Sequence, residues 1–267
     1  MVWIFIWDTA PSKIFVWWNE VASVWAWDTK VRPSWPDKDY LCFTANTAGS
    51  VIRLQKNSNP TAVQLEISTD GTTWTDYSTY NTNITLTNVW DKVYWRNKSE
   101  TTTWFSTSDS DSGSFYRFIW SWSIAISWDV TSLLCKNLST TVSDYCFCNL
   151  FNTNSSLFTS APSIPATTLW YRCYYRMFWW QWNMETLPKL PATTLANGCY
   201  YQMFYWCSKI KISSTQTWDY QTAYRIPTEW TGTMGVESTY RMFYYTWWTF
   251  TGTPQVNTNY YTSNTLV

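Results

Sequence analysis

The chain repeats one stretch almost letter for letter: Pro162-Ser-Ile-Pro-Ala-Thr-Thr-Leu169 returns 26 residues later as Pro188-Lys-Leu-Pro-Ala-Thr-Thr-Leu195. Cys173-Tyr-Tyr-Arg-Met-Phe178 returns at the same interval as Cys199-Tyr-Tyr-Gln-Met-Phe204. Each unit joins a short extended segment to a short helical turn that carries Cys and Phe on one side. A unit of this size cannot cover its own apolar face, so neighbouring units must stack. The repeat therefore predicts a solenoid.

Two less complete copies extend the repeat in both directions. Cys146-Phe-Cys-Asn-Leu-Phe151 lies 27 residues before the first full copy, and Ser238-Thr-Tyr-Arg-Met-Phe243 follows the second after a longer insertion. We therefore expect the solenoid over residues 131–250 and a C-terminal cap over residues 251–267. Equivalent side chains of a solenoid form columns. The expected structural columns are Cys146, Cys173 and Cys199; Phe151, Phe178 and Phe204; and Leu169 and Leu195.

The part of the chain before the repeat is typical of β structure. In residues 1–36 an apolar triplet recurs every ten residues, which predicts a segment of β-hairpins. The triplets are Ile4-Phe-Ile6, Ile14-Phe-Val16 and Val24-Trp-Ala26. Residues 37–130 contain short apolar or alternating runs separated by Asn, Asp, Ser and Thr, which predicts an antiparallel β-sandwich. The strands expected there are residues 40–43, 51–54, 63–67, 84–86, 92–96, 116–119 and 124–126. The predicted fold class is mixed β and α/β.

The composition excludes several classes of function. Lys plus Arg and Asp plus Glu both number 18, so there is no excess positive charge for binding a nucleic-acid backbone. The chain has no His, which removes Ser-His-Asp and Cys-His nucleophile systems and imidazole metal sites. No apolar run reaches the ~20 residues of a membrane span. The seven Cys lack the spacing of a disulfide framework, so we expect reduced, mostly buried thiols.

The remaining motifs predict no catalytic residue, no cofactor and no metal. Asp109-Ser-Asp-Ser-Gly113 resembles a calcium loop, but Trp120 stands where that loop requires Glu. The pair Cys146-x-Cys148 is too small for a structural zinc site, which needs four ligands. The tyrosines of residues 171–175 and 200–201 are open to two interpretations: a binding surface or half-buried spacers between repeats. The carboxylates are too scattered to nominate a glycosidase pair.

The repeated residues resemble the BspA-like leucine-rich repeats of bacterial and bacteriophage surface proteins. Units of that family contain Leu-Pro-x-x-x-Leu, a Cys/Ala-aromatic segment, and then Met-Phe-x-Gly-Cys-x-x-Leu. The last part stands here as Met203-Phe-Tyr-Trp-Cys-Ser-Lys-Ile210, with Trp206 in the glycine position. The resemblance covers about residues 131–250. It implies a surface-exposed, non-enzymatic role and supplies no catalytic residues.

Trp in place of Gly at further positions would account for a composition of 23 Trp and only 7 Gly. Many Trp letters stand where Gly-Asp, Gly-Gly or Gly-Ser turns would be ordinary. The suspected positions are Trp7, Trp27, Trp90, Trp128 and Trp218 before Asp; the doublets 17–18, 179–180 and 247–248; Trp120 and Trp122; and Trp206. Our hypothesis is that the gene reads UGA as glycine. By context, Trp25, Trp35, Trp74 and Trp95 fit authentic tryptophans. The alternative is a genuine Trp-rich surface that stacks on sugars or cations.

These observations predict a non-enzymatic structural and adhesion protein at a cell surface or in a virion. It would bind a cell-surface glycan or protein through sandwich loops or one solenoid face. A bacteriophage tail-fibre-like component that serves assembly or receptor binding is the main alternative, which the lack of a recognisable signal peptide favours. A glycan hydrolase is the least favoured reading. Neither nucleic acid nor a membrane span is expected.

Overall fold

The structure is a computed structural model that describes residues 24–26, 29–31, 39–57, 63–109, 114–153, 160–184, 188, 190–209, 223–225, 235–244 and 259–261. The chain divides into two compact units, Met1–Trp35 and Pro36–Val267. Most of the regular structure is β. The strands are β1 (Val24–Ala26), β2 (Thr29–Val31), β3 (Leu41–Ala45), β4 (Ser50–Asn57), β5 (Leu65–Ser68), β6 (Thr75–Tyr77), β7 (Ile84–Leu86), β8 (Lys92–Asn97), β9 (Phe115–Ser121), β10 (Ile124–Ser127), β11 (Ala223–Arg225) and β12 (Asn259–Tyr261).

The first unit contains one described hairpin. Strands β1 and β2 pair antiparallel, with Val24 opposite Val31. Strand β1 coincides with the third apolar triplet of the sequence. The predicted strands at the first two triplets lie outside the described residues.

Two antiparallel sheets form the first half of the second unit. One has the order β10-β3-β8-β5-β6 and the other the order β7-β4-β9. Their aromatic side chains meet in a common core, where the ring centroid of Phe118 lies 4.7 Å from that of Phe43 and 5.0 Å from that of Trp95. The predicted antiparallel β structure is therefore confirmed. The pairing follows from alternation: in β4 every second residue from Ser50 to Leu54 is buried, which gives the strand one core face.

All seven strands predicted between residues 37 and 130 are present, with small changes in their bounds. Among the strands that the structure describes in this range, β6 was not predicted, because its Thr-Asp-Tyr is polar and short. Tyr77 anchors this strand, because its hydroxyl donates to the carbonyl of Thr82 (2.9 Å) and accepts from the N–H of Leu54 (3.2 Å). A single aromatic residue thus fixes an edge strand that apolar periodicity cannot reveal.

A 3₁₀ helix, Val130–Leu133, ends the sheet region and is the only helix among the described residues. Its four residues are buried. The Ser132 hydroxyl donates to the carbonyl of Trp95 (2.9 Å) and accepts from the N–H of Leu41 (3.0 Å), so the helix is fastened to both β8 and β3. Asp129 caps its N-terminus by accepting from the N–H of Thr131 at 2.7 Å.

The predicted helical turns of the repeat are not helices. Residues 143–152, 171–182, 197–207 and 235–244, here called the turn stack, form runs of overlapping turns. In each run φ is positive at every fourth residue, for example at Arg172, Arg176 and Trp180. An α-helix cannot contain such residues at regular intervals, because left-handed φ breaks its hydrogen-bond ladder. The α/β component of the predicted fold class is therefore wrong for the described part of the chain.

The turn stack continues directly from the sheets. The N–H of Phe118 in β9 donates to the carbonyl of Leu150 (2.8 Å), and the N–H of Ser106 donates to the carbonyl of Cys146 (3.1 Å). The ring of Phe118 stacks on that of Phe151, with centroids 5.9 Å apart. Sheets and turn stack consequently share one hydrophobic core. Among residues 251–267, the expected cap, the structure describes β12, which pairs with β11.

Candidate functional site: the two faces of the turn stack

Backbone hydrogen bonds join each segment of the turn stack to the next. Along a segment, every second N–H donates to the carbonyl three residues earlier, and the N–H groups between them donate to the neighbouring segment. At one equivalent position the backbone N–H donates to a carbonyl of the next segment in all three cases. These bonds are Phe147 N–H to Cys173 O (2.8 Å), Tyr174 N–H to Cys199 O (2.9 Å) and Tyr200 N–H to Ser238 O (2.8 Å). This pattern brings the repeat equivalents side by side, and it does so in the register that the sequence offsets require.

Side chains alternate in pairs between an inner and an outer face. In the segment 171–182, Cys173 and Tyr174 belong to the main core, and so do Met177 and Phe178. Tyr175, between these pairs, belongs instead to a small second cluster with Tyr201. The sequence Cys-Tyr-Tyr-Arg-Met-Phe therefore has a period of four, with two residues facing in and two facing out.

The predicted Phe and Cys positions lie in register on the inner face. Ring centroids of Phe151 and Phe178 are 5.4 Å apart, and those of Phe178 and Phe204 are 5.5 Å apart, with the latter planes only 3° from parallel. Phe243 extends the column at 5.4 Å. Cys146, Cys173 and Cys199 are fully buried at equivalent positions. Such stacking adds to the energy of burial.

The two predicted leucines lie at the margin of the same core. Leu195 is buried, whereas Leu169 is half-buried and packs against the core residues. The alanines three residues before them, Ala166 and Ala192, are both fully buried. The Leu-Pro segments thus contribute small and branched side chains to the core.

The thiols of this core are not nucleophiles at neutral pH. All seven Cys are free and buried. Burial raises the pKa of Cys146 and of Cys199 to about 12, and it raises the pKa of Cys173 well above its usual range. Because the thiolate is the reactive form, these groups act as small apolar side chains.

No metal site is formed by the described residues. They contain no group of three or more Cys, Asp or Glu with suitable geometry. In the calcium-loop-like motif, the Asp109 carboxylate forms an ion pair with the Arg172 guanidinium. Asp111 and Gly113 of that motif lie outside the described residues. Asp109 therefore fastens the loop after β8 to the turn stack.

The outer face combines tyrosine rings with arginine side chains. Tyr175 and Tyr201 stack with centroids 5.1 Å apart, and Tyr240 follows Tyr201 at 5.0 Å. The Arg176 guanidinium lies 4.9 Å from the Tyr175 ring, and that of Arg241 lies 5.1 Å from the Tyr240 ring. The register places these two arginines in one column with Gln202, whose side-chain oxygen accepts from Arg176 Nε at 2.7 Å.

This geometry decides what the tyrosines can offer. The rings lie against each other along the stack, so much of each ring face is covered by its neighbour. What remains for a ligand is the partly exposed Tyr201 and Tyr240 and the guanidinium groups of Arg176 and Arg241, because Tyr175 and Gln202 are buried. The predicted tyrosines divide between the two interpretations: Tyr174 and Tyr200 are fully buried in the inner face, whereas Tyr171 and Tyr201 are at least partly exposed. The arginines were not singled out from the sequence, although the recurrence of Tyr-Arg-Met-Phe at two copies was the signal that could have found them.

One ionisable group lies at the seam between sheets and turn stack. Burial raises the pKa of Asp129 from 3.8 to about 6, although hydrogen bonds from Thr131 act in the opposite direction. The N–H of Asp129 donates to Asp39 O (2.8 Å), and the next N–H, of Val130, donates to Ser163 O (3.2 Å). Asp129 thus connects the start of β3 with the first Leu-Pro segment.

Comparison of the chain with protein-family models, curated proteins and solved structures finds no match. Within the described ranges, no helix has the length and hydropathy that crossing a membrane requires.

Proposed function

We propose that this protein is a non-enzymatic, surface-exposed adhesion protein whose C-terminal half is a leucine-rich-repeat-like solenoid. The observation that carries the proposal is the in-register turn stack, which gives the chain an apolar inner face and a repeated polar outer face. In a solenoid, neighbouring units cover each other's apolar surfaces and leave an extended surface for binding.

The chemistry of the inner face supports a structural role. Its cysteines are buried and protonated, and its aromatic rings are stacked on their repeat equivalents. The outer face, in contrast, repeats Tyr on three neighbouring segments and carries Arg on the first and third of them, with Gln202 between. A cell-surface glycan or protein that carries hydroxyl or carboxylate groups could be held there by several weak hydrogen bonds at once, because Arg pairs well with carboxylates.

Binding by the intact protein tests this proposal. The probes are intact bacterial cells and a panel of immobilised polysaccharides, namely polygalacturonate, chitin and dextran. We expect saturable retention on at least one probe. The double variant Arg176→Ser/Arg241→Ser should lose about thirtyfold or more in affinity, because two lost charge-assisted hydrogen bonds of about 1 kcal/mol or more each add to about 2 kcal/mol or more.

The matched control is Arg117→Ser, which removes an arginine from β9, where its Nε donates to Gln55 Oε1 at 3.2 Å. This variant should bind like the unmodified protein. Periodate or protease treatment of the cells separates a glycan receptor from a protein receptor. Retention on none of the probes, or equal retention of both arginine variants, would reject adhesion through this face, and release of reducing sugars would favour a hydrolase.

A further inference from the structure

Five tryptophans of the described chain have a left-handed backbone. Their φ angles are 74° at Trp90, 64° at Trp122, 66° at Trp128, 66° at Trp180 and 63° at Trp206. The glycines Gly49, Gly71 and Gly198 have φ of 77°, 76° and 61°, so the tryptophans share the glycine range. Only glycine enters this region freely, and a bulky aromatic residue there is strained.

The local structure at two of these positions requires a tight turn. Trp122 lies in the two-residue link by which the chain passes from β9 in one sheet to β10 in the other, and its φ is positive there. Trp90 lies between β7 and β8 in a turn closed by the N–H of Asp91 and the carbonyl of Asn88. Their side chains contribute little to packing, since Trp90 is 73% exposed and Trp122 is 59% exposed.

Trp180 and Trp206 occupy the same position in two copies of the repeat. The N–H of Trp180 donates to Tyr205 O at 2.9 Å, which places it beside Trp206 in the register of the turn stack. The Nε1 atom of Trp180 is buried and has no hydrogen-bond partner among the described residues. The Nε1 atom of Trp95 is also buried without a partner there, so the unpartnered indole does not separate Trp180 from the packed tryptophans, and the left-handed backbone is the feature that does.

Positive φ alone does not identify glycine, because Arg172, Arg176, Gln202 and Arg241 also have it. Those residues lie within the turn stack and carry long polar side chains. Outside the turn stack, five described non-glycine residues have this backbone, and three of them are tryptophans: Trp90, Trp122 and Trp128, beside Asn81 and Leu138. Asn tolerates positive φ, so the recurrence of Trp at such positions is what calls for an explanation.

Other tryptophans behave as tryptophans should. Trp95 is fully buried in β8, and Trp74 lies with its ring 3.8 Å from the Arg96 guanidinium. Trp120, which the sequence placed among the suspects, is buried in β9 without a positive φ. The tryptophans of this sequence thus occupy two kinds of position, packed or with a left-handed backbone, and the structure assigns Trp120 to the packed kind.

We infer that the polypeptide made in its own cell carries glycine at positions 90, 122, 128, 180 and 206, because the gene uses a code in which UGA specifies glycine and UGG specifies tryptophan. The inference does not rest on the proposed function. It concerns the identity of five side chains, and it predicts bare turns where this sequence shows large aromatic surfaces.

The gene itself provides one test. We expect UGA codons at these five positions and a UGG codon at Trp95, and the masses of peptides from the native protein should match glycine at the five. UGG codons at all five positions, or peptide masses that match tryptophan, would overturn the inference without any need for folded variants.

Stability of the full chain provides the second test. The variant with Trp90→Gly, Trp122→Gly, Trp128→Gly, Trp180→Gly and Trp206→Gly should melt at least about 5 °C above the Trp-containing chain, since relief of strain at one turn shifts Tm by about 2 °C or more. The matched control, Trp95→Gly, should melt well below it because it leaves a cavity. A five-glycine variant that melts lower than the Trp-containing chain would contradict the inference.

Discussion

The sheets and the turn stack bury similar aromatic residues by different rules. In β4 the period is two, and each strand pairs antiparallel with a neighbour of unrelated sequence. In the turn stack the period is four, and each segment bonds to a copy of itself. The sheets therefore depend on complementary side chains, whereas the stack depends on repetition, which places Phe on Phe and Tyr on Tyr. Repetition can thus organise a core without helices or regular strands.

The largest expected effect comes from the residue that both regions share. Phe118→Ala should lower the free energy of unfolding by about 4 kcal/mol, because it removes a buried ring from a well-packed core. Its ring contacts Phe43 on the sheet side and Phe151 on the stack side. Urea unfolding followed by tryptophan fluorescence measures the loss. Amide hydrogen exchange at residues 147–151 should also become faster, and unchanged exchange there would show that the stack is independent of the sheets.

A smaller effect, with a defined pH dependence, comes from the seam. The raised pKa of Asp129 means that the folded state favours the protonated carboxyl. The stability that this carboxyl contributes to the folded state is therefore fully present below about pH 4 and is lost as pH rises through about 6. Asp129→Asn should keep the acceptor for Thr131 and remove this dependence. At pH 7 the variant should be more stable by on the order of 2 kcal/mol.

The measurement for Asp129 is the difference between variant and unmodified protein across pH 3.5 to 7.5, since other carboxylates titrate in both. Asp70 and Asp91 have pKa values that hydrogen bonds from neighbouring backbone N–H groups lower, so they favour folding at higher pH in both proteins. Parallel stability curves for the two proteins would mean that Asp129 does not couple the seam to pH.

The smallest expected effect tests whether stacking outweighs polarity in the turn stack. Tyr174 lies between Phe147 and Tyr200, and its buried hydroxyl has no hydrogen-bond partner among the described residues. Tyr174→Phe should therefore stabilise the protein by up to about 1 kcal/mol. Tyr77→Phe is the matched control and should destabilise, because the Tyr77 hydroxyl makes two hydrogen bonds. If Tyr174→Phe is the more destabilising of the two, the hydroxyl has a role in the stack.

The sequence was most informative where a pattern repeats. Offsets of 26 and 27 residues gave the side-by-side placement of Phe151, Phe178 and Phe204, because identical segments can bury their faces only against each other. Alternation gave the strands of the sheets. The sequence did not predict the conformation of the repeated segment, because no residue type marks the positive φ at Arg172 and Arg176. It also did not predict β6, which the hydroxyl of Tyr77 holds in place.

The candidate site was only half predictable for a related reason. The inner columns follow from apolar identity, whereas the pairing of Arg176 with Gln202 and of Arg172 with Asp109 depends on which side of a turn a polar residue faces. That side is decided by the period of four, which became visible only in the backbone. A helix or strand period would have placed these side chains differently.

The hydrogen-bond register of the turn stack does not depend on the length of chain between its segments. Arg172 pairs with the segment that begins at Asn197, and Gly198 pairs with the one that begins at Val236, although the second interval along the chain is much longer than the first. Each segment of the turn stack aligns with its neighbour through its own short motif, whatever the length of chain that leads to it. Insertions between motifs should consequently be neutral for the core, so a lineage can elaborate the loops, or duplicate whole levels, while the supporting scaffold stays unchanged.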